Sequence, residues 1–310
     1  YQGVYFIGTT PPKVGTDPDT VLDIANKFSA RLSELEYDGT IIYDIQDEST
    51  RTSVPRPFPF KHTIDSRVYS QHIKHLTQKP TITYKSVTQR GKAEFEQWLE
   101  EAKEYHLDHL VLVGNPSSEN TLNFTLSDAY NTLKEHAEKD IHLGGVTIAE
   151  RHTSKKNEHE RLFTKVDQGC QYFISQAVYD VQATINLITR YARHCAQQGV
   201  EPKRIILTFA PCGNKKTLEF MEWLGIAVPE ATQWRLLDSE HTLTESIKIC
   251  QENLNTILQS CSDYGVPLGL NIESLTNRKK DIDASIHLYK LLKPTMELCL
   301  AEKLLELKVA

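Results

Sequence analysis

Residues Gly145 to Asp180 read GVTIAERHTSKKNEHERLFTKVDQGCQYFISQAVYD and hold two apolar runs separated by a helical pattern. The first run extends from Leu143 to Ile148 and the second from Tyr172 to Ser175, with helical spacing from Glu158 to Gln168 between them. Because parallel strands need a long crossover, usually a helix, this order predicts a strand, a helix and a second, parallel strand.

The same alternation continues on both sides of this stretch. Six further apolar or β-branched runs are Val4 to Thr9, Thr40 to Ile45, Thr81 to Tyr84, Leu110 to Val113, Ile205 to Phe209 and Leu268 to Ile272. The helical patterns between them are Thr20 to Leu35, Lys92 to Tyr105, Leu126 to Lys139, Val181 to Gln198 and Leu243 to Ser262. An open doubly wound sheet shares this order, but no GxGxxG motif follows the first run. Eight strands with helices between them therefore predict an α/β fold, a single (β/α)8 TIM barrel over residues 1–310, with an extra C-terminal helix from Ile282 to Leu307.

Composition limits the partners that this chain is expected to bind. A net charge of -6 gives no electrostatic case for binding nucleic acid or an anionic membrane. The six cysteines form no CxxC pair, which predicts reduced thiols, and no histidines have further ligands at a spacing typical of a metal site. No apolar stretch is long enough for a membrane span, so a cytoplasmic location is expected. The expected partner is a small molecule, and a homo-oligomer is left open.

Polar residues at the predicted strand ends are the first candidates for a site, because barrel enzymes place their active sites there. The long segment from Gln46 to Asp65 follows strand two and carries Asp47, Glu48 and Arg51. These three form either a surface ion pair or an acid and a cation that face a polar ligand, in which case Asp47 contacts substrate. Other polar residues at strand ends are Lys85, Asn115, Glu150, Arg151, His152, Gln176, Asn214, Asn271 and Glu273.

The stretch from Gly145 to Asp180 resembles the methylenetetrahydrofolate reductase family. That family has a Glu and a His two residues apart after strand five, a helix with a Lys and then Val-Asp-Ala-Gly-Ala, and a Thr-Gln before an aromatic residue and Asp after strand six. The matching residues here are Glu150, His152, Lys165, Val166, Asp167, Gly169, Ser175, Gln176, Tyr179 and Asp180. Weaker matches extend the resemblance from Pro11-Pro12-Lys13 to Asn277-Arg278.

The resemblance implies a barrel that binds FAD, accepts hydride from NADH or NADPH and passes it to the methylene carbon of a reduced folate. It assigns pterin recognition to Gln176 and a further substrate contact to Arg278. It implies that Glu150, His152 and Lys165 bind the cofactor, with the two basic residues near its ribityl and phosphate groups. Asn115 would lie near the pterin and the flavin ring, at a catalytic position.

Three positions depart from the family pattern. The Glu that assists protonation after strand one is Gly8 here, the acid after strand four is Asn115, and a tyrosine before the strand-five Glu is Ile148. A substitute catalytic acid is then expected from the long loop, as Glu48 or Asp47. Three readings stay open: an FAD-dependent reductase, a flavin-independent folate-binding one-carbon transferase, and a non-catalytic subunit of the same fold.

Overall fold

The computed structural model of the protein describes residues 2–48, 52–87, 91–114, 124–136 and 141–309. Over these ranges eight strands form a closed parallel barrel in the order β1 to β8, which confirms the predicted fold. The strands are β1 (Tyr5–Thr9), β2 (Gly39–Ile42), β3 (Thr81–Ser86), β4 (His109–Val113), β5 (His142–Thr147), β6 (Tyr172–Ala177), β7 (Arg204–Phe209) and β8 (Leu268–Glu273).

Helices follow the strands along the chain. They are α1 (Pro18–Leu32), α2 (Ser66–Thr77), α3 (Lys92–Glu104), α4 (Leu126–Glu135), α5 (Ala149–Lys155), α6 (Glu158–Asp167), α7 (Val181–Gln198), α8 (Lys215–Trp223), α9 (Glu230–Asp238), α10 (Thr242–Cys261) and α11 (Lys279–Val309). The last of these is the expected C-terminal helix, longer by about one turn than the sequence pattern predicted. Within the described ranges, no helix combines the length and apolarity needed to cross a membrane.

Helix α7 illustrates how the sequence sets these elements. The Asp180 carboxylate accepts a hydrogen bond from the Ala183 N–H at 2.9 Å and caps the helix, and Gly199 ends it with a φ of 66°. Side chains four residues apart form its buried face: Ala183, Leu187, Tyr191 and Cys195. Burial of that apolar stripe, more than helix propensity, holds the helix in place.

The described chain forms two compact units. The first unit comprises Tyr1–Ile7, Thr147–Thr164 and Tyr172–Ala310, and the second comprises Gly8–Val146 and Lys165–Gln171. The expectation of one domain over residues 1–310 stays a prediction.

In the first unit β7 lies between β6 and β8, α11 packs on β8, and α10 packs on α7 and α11. Its core includes the fully buried Phe173, Leu254 and Leu288. Its N-terminal residues reach the last strand, where the Leu270 N–H donates to the Val4 carbonyl at 2.8 Å. Gly269 permits this approach, because a Cβ at that position would stand 2.5 Å from the Val4 side chain.

The second unit pairs β2, β3 and β4 in register and packs α2 on β3. Two buried hydroxyl contacts fix that helix: Ser66 donates to the Tyr84 carbonyl at 2.7 Å, and Thr83 donates to Ser70 at 2.7 Å. The sequence pattern predicts that β2 extends to Ile45, whereas the strand ends at Ile42 in the structure. The chain turns polar there, and Asp44 accepts a hydrogen bond from the Ser86 N–H.

Candidate functional site

A small cavity lies in the first unit at the C-terminal ends of β5 and β6, beside the start of α7, and we call it the β5–β6 cavity. Its volume of about 10 Å³ is close to that of one water site. Apolar side chains form its inner wall, and its polar lining residues are Thr147, Glu150, Ser175, Gln176, Asp180 and Thr184. The structure therefore brings together two of the predicted site residues, Glu150 and Gln176.

Gln176 lies near the end of β6 and is half-buried. Its side-chain Nε2 donates to the Leu224 carbonyl at 2.9 Å, just past the end of α8. That bond fixes the plane of the amide, which carries both donor and acceptor groups. An amide held in this way can recognise a heterocycle edge that presents donors and acceptors.

Glu150 is the second residue of α5, shortly after β5. Its Oε1 accepts a hydrogen bond from the Ala227 N–H at 3.2 Å. Burial raises the pKa of the Glu150 carboxyl, and the negative charge of Asp180 raises it further, while backbone hydrogen bonds and Arg151 oppose the shift. This carboxyl consequently retains its proton to a higher pH than an exposed glutamate does.

His152 and His159 are almost fully buried, at 8% and 2% exposed, and form a histidine cluster with His194. Neighbouring rings stand edge to face, with centroids 5.3 Å apart in both pairs. Burial lowers the pKa of His152 and of His159, and the positive charge of Arg190 lowers both further. The Nδ1 atoms of His152 and His159 have no hydrogen-bond partner within the described residues.

Lys165 lies on α6 in the second unit and is 8% exposed. Its Nζ donates to the Val146 carbonyl, on β5. The ammonium therefore joins the helix to the strand beside it, rather than standing at a surface.

After β2, the described chain places Arg56 near the acidic side chains of Glu48 and Asp47. Burial lowers the pKa of its guanidinium, while the nearby negative charges of Glu48 and Asp47 oppose that shift. The guanidinium also lies 5.3 Å from the centroid of the Phe60 ring. Arg51 lies outside the described residues, as does Asn115. The catalytic role of Glu48 and the substrate contact of Asp47 stay predictions.

Arg278 lies just before α11, and its guanidinium is bound by the buried Asp281, 2.6 Å away. It also donates to the Thr217 hydroxyl at 3.2 Å, at the start of α8. Gly213 makes room for this arrangement, since a Cβ there would stand 2.6 Å from Asp281 Oδ1. These contacts give Arg278 a structural role, and its predicted contact with substrate stays a prediction.

Comparison with known proteins places the chain. The family model for methylenetetrahydrofolate reductase matches residues 64–279. The chain belongs to the methylenetetrahydrofolate reductase family. A solved structure with 34% sequence identity and a TM-score of 0.78 covers 93% of this chain and 94% of its own; it is an uncharacterized protein from Clostridium thermocellum that binds two copies of 5-methyl-5,6,7,8-tetrahydrofolic acid.

A second solved structure is far less similar to the present chain. It is 2,3-dimethylmalate lyase, of the PEP mutase/isocitrate lyase superfamily, with 10% identity and a TM-score of 0.47 over 87% of this chain and 75% of that one. A likeness at this level carries no argument about function. Comparison with curated proteins gives no significant match.

The methylenetetrahydrofolate reductase family implies an FAD, so the residues assigned to it can be tested against their surroundings. A diphosphate is bound by cations and aligned hydrogen-bond donors. Here the Lys165 ammonium is occupied by a strand carbonyl, His152 has a lowered pKa and packs against another histidine, and Glu150 brings a carboxyl. Taken separately, Glu150 adds negative charge, and His152 is positively charged over a narrower pH range than an exposed histidine, so neither side chain suits a diphosphate by its charge.

Sequence reasoning missed several residues of this region. Asp180 was matched to the family motif without a role, although an acid directly before a helical pattern is a usual capping signal. Glu158 was not singled out, yet it is fully buried and accepts from the Ile148 N–H at 3.0 Å. No group of three or more His, Cys, Asp or Glu side chains in the described segments is arranged to hold a metal ion.

Proposed function

We propose that this protein binds a reduced folate at the β5–β6 cavity and handles its one-carbon group without a bound flavin. The observation that carries the proposal is the position of Gln176, with its amide fixed by Leu224 and the Glu150 carboxyl lining the same cavity. A pterin edge presents N–H donors and ring-nitrogen and carbonyl acceptors, which an amide and a protonated carboxyl can satisfy. Further support comes from the folate ligand of the solved relative with 34% identity.

The cavity is too small for a pterin as it stands, so the folate would widen it or bind across its opening. Side-chain movements of this kind are common when a site takes its ligand. In this proposal Gln176 selects the pterin, while the apolar wall of the cavity favours its flat ring.

Calorimetric titration with 5-methyltetrahydrofolate tests the proposal. The wild type is expected to bind, and Gln176→Leu is expected to weaken binding about tenfold or more, since each unpaired polar group left on the pterin costs about 1–3 kcal/mol. Gln182→Leu is the matched control, because Gln182 is an exposed residue of α7 whose side chain contacts only Asn186 among the contacts described. Equal affinity of the wild type and Gln176→Leu would refute this role of the amide.

The second candidate is an FAD-dependent methylenetetrahydrofolate reductase, which the family model over residues 64–279 favours. It requires that FAD bind, that NADH or NADPH reduce it, and that methylenetetrahydrofolate reoxidise it. An absorbance spectrum of the purified protein, followed by titration with FAD, separates the two candidates. Flavin bands that bleach with the nicotinamide donor and recover with the folate would establish the reductase and overturn the flavin-free proposal.

A further inference from the structure

We infer that Glu150 is the acid that protonates the bound folate, in place of the carboxylate that the chain lacks at Gly8. The inference rests on the proposed folate binding and goes beyond it by naming the proton donor. It differs from the sequence-based expectation, which looked for this acid at Glu48 or Asp47.

Position is the first support. Glu150 and Gln176 belong to the same unit and line the same cavity. A pterin held by the Gln176 amide would therefore have the Glu150 carboxyl beside it. General acid catalysis requires a donor within hydrogen-bond reach of the atom that it protonates, and a residue of this cavity is a candidate for that reach.

The surroundings of the carboxyl are the second support. Within the described part of the chain, none of the residues that line the cavity is basic. Asp180, at the start of α7, shares the cavity, and two carboxyl groups in one site disfavour simultaneous ionisation. Opposing contributions come from Arg151, on the same helix, and from the Ala227 N–H that donates to Oε1. The net effect is a raised pKa for Glu150.

The proposed step moves one proton and requires no oxidant or reductant. The O–H bond of Glu150 breaks and an N–H bond forms on the folate amine nitrogen that carries the one-carbon group. Glu150 becomes a carboxylate, and the nitrogen becomes an ammonium. An ammonium leaves as a neutral amine when its bond to carbon breaks, so protonation prepares the one-carbon group for release.

The pH dependence of 5-methyltetrahydrofolate binding tests this inference. If a protonated Glu150 donates to the ligand, wild-type affinity is expected to fall as the pH rises through the pKa of that carboxyl, approaching tenfold per pH unit above it. Glu150→Gln keeps the size of the side chain and an acceptor for the Ala227 N–H, but it cannot lose a proton. Its affinity is expected to vary less with pH, and ionisation of the folate free in solution affects both measurements equally.

A second variant is expected to shift the pH profile of folate binding while Glu150 is kept. Asp180→Asn keeps a residue that caps helices well, while it removes the negative charge beside Glu150. The wild-type pH profile is therefore expected to shift to lower pH in this variant. Glu160→Gln, on the exposed face of α6, is the control and should leave the profile unchanged.

The outcomes separate the two proposals. If the wild type binds 5-methyltetrahydrofolate and Glu150→Gln shows the same pH dependence, the proton-donor role is wrong and folate binding stands. If the wild type binds no folate at any pH, the proposed function fails and the inference fails with it. A reduced pH slope in Glu150→Gln, together with the shifted profile of Asp180→Asn, supports the inference.

Discussion

The histidine cluster is expected to make the protein lose stability in mild acid, and His159→Leu is expected to remove about half of that loss. His159 is 2% exposed, and its pKa is lowered first by burial and then by electrostatic interaction with His152, Arg190 and His194, while Glu160 opposes the shift. The pKa of His152 is lowered as well, by burial, Arg190 and Lys156, while Glu158 opposes the shift. Leucine fills a similar volume and cannot titrate.

The magnitude follows from proton linkage. Each histidine has a folded-state pKa below the ordinary value of 6.5, so the unfolded chain takes up the proton first as the pH falls. The stability is therefore complete above that value and is lost below it, with a slope of up to about 1.4 kcal/mol per pH unit for each histidine. Two such groups give at most about 2.8 kcal/mol per pH unit, and the variant retains at most about half of that slope.

Urea unfolding measured between about pH 5 and pH 7 gives the slope directly, because the free energy of unfolding is linear in denaturant. His287→Leu is the matched control, since His287 is exposed on α11, and it should retain the wild-type slope. The comparison uses slopes, so a uniform loss of stability from imperfect packing does not affect it. Identical slopes for the wild type and His159→Leu would refute the assignment of the acid sensitivity to this cluster.

Three further substitutions test contacts described above. Lys165→Met should lower the free energy of unfolding by about 1–3 kcal/mol and leave folate binding unchanged, because it removes the hydrogen bond from the Lys165 ammonium to the Val146 carbonyl; loss of FAD binding at unchanged stability would instead support a cofactor role. Glu158→Ala should cost at least about 2 kcal/mol by urea unfolding, since it removes a buried carboxylate that accepts hydrogen bonds from the end of β5. Gly269→Ala should cost about 1–3 kcal/mol or more, because its Cβ would meet the Val4 carbonyl at 2.9 Å, and a fully stable variant would contradict that packing.

Strand positions were the most predictable feature of the fold. Each of the eight predicted runs begins within one residue of a strand in the structure. Strands of a parallel barrel are buried on both faces, so they read as continuous apolar runs that polar loops interrupt. Helices α5, α8 and α9 were not predicted, because seven to nine residues give barely two turns of pattern.

The candidate site was predictable only at the level of residue type. The motif identified Gln176 and Glu150, but the groups that control Glu150 come from distant segments, at Asp180 and Ala227. A sequence does not show which way a side chain points. Lys165 was assigned to a phosphate for its charge, yet that charge is turned toward a strand carbonyl. Packing determines the direction in which a side chain points, and packing depends on contacts between residues that are far apart in the sequence.

The bond between the Leu270 N–H and the Val4 carbonyl has a consequence for synthesis on the ribosome. Val4 obtains this partner only after the ribosome has made the chain as far as Leu270, on β8. At roughly 5–20 residues per second, that wait is on the order of ten seconds or more. During this time the N-terminal strand has an unpaired edge, which is the kind of surface that chaperones bind and that aggregation exploits.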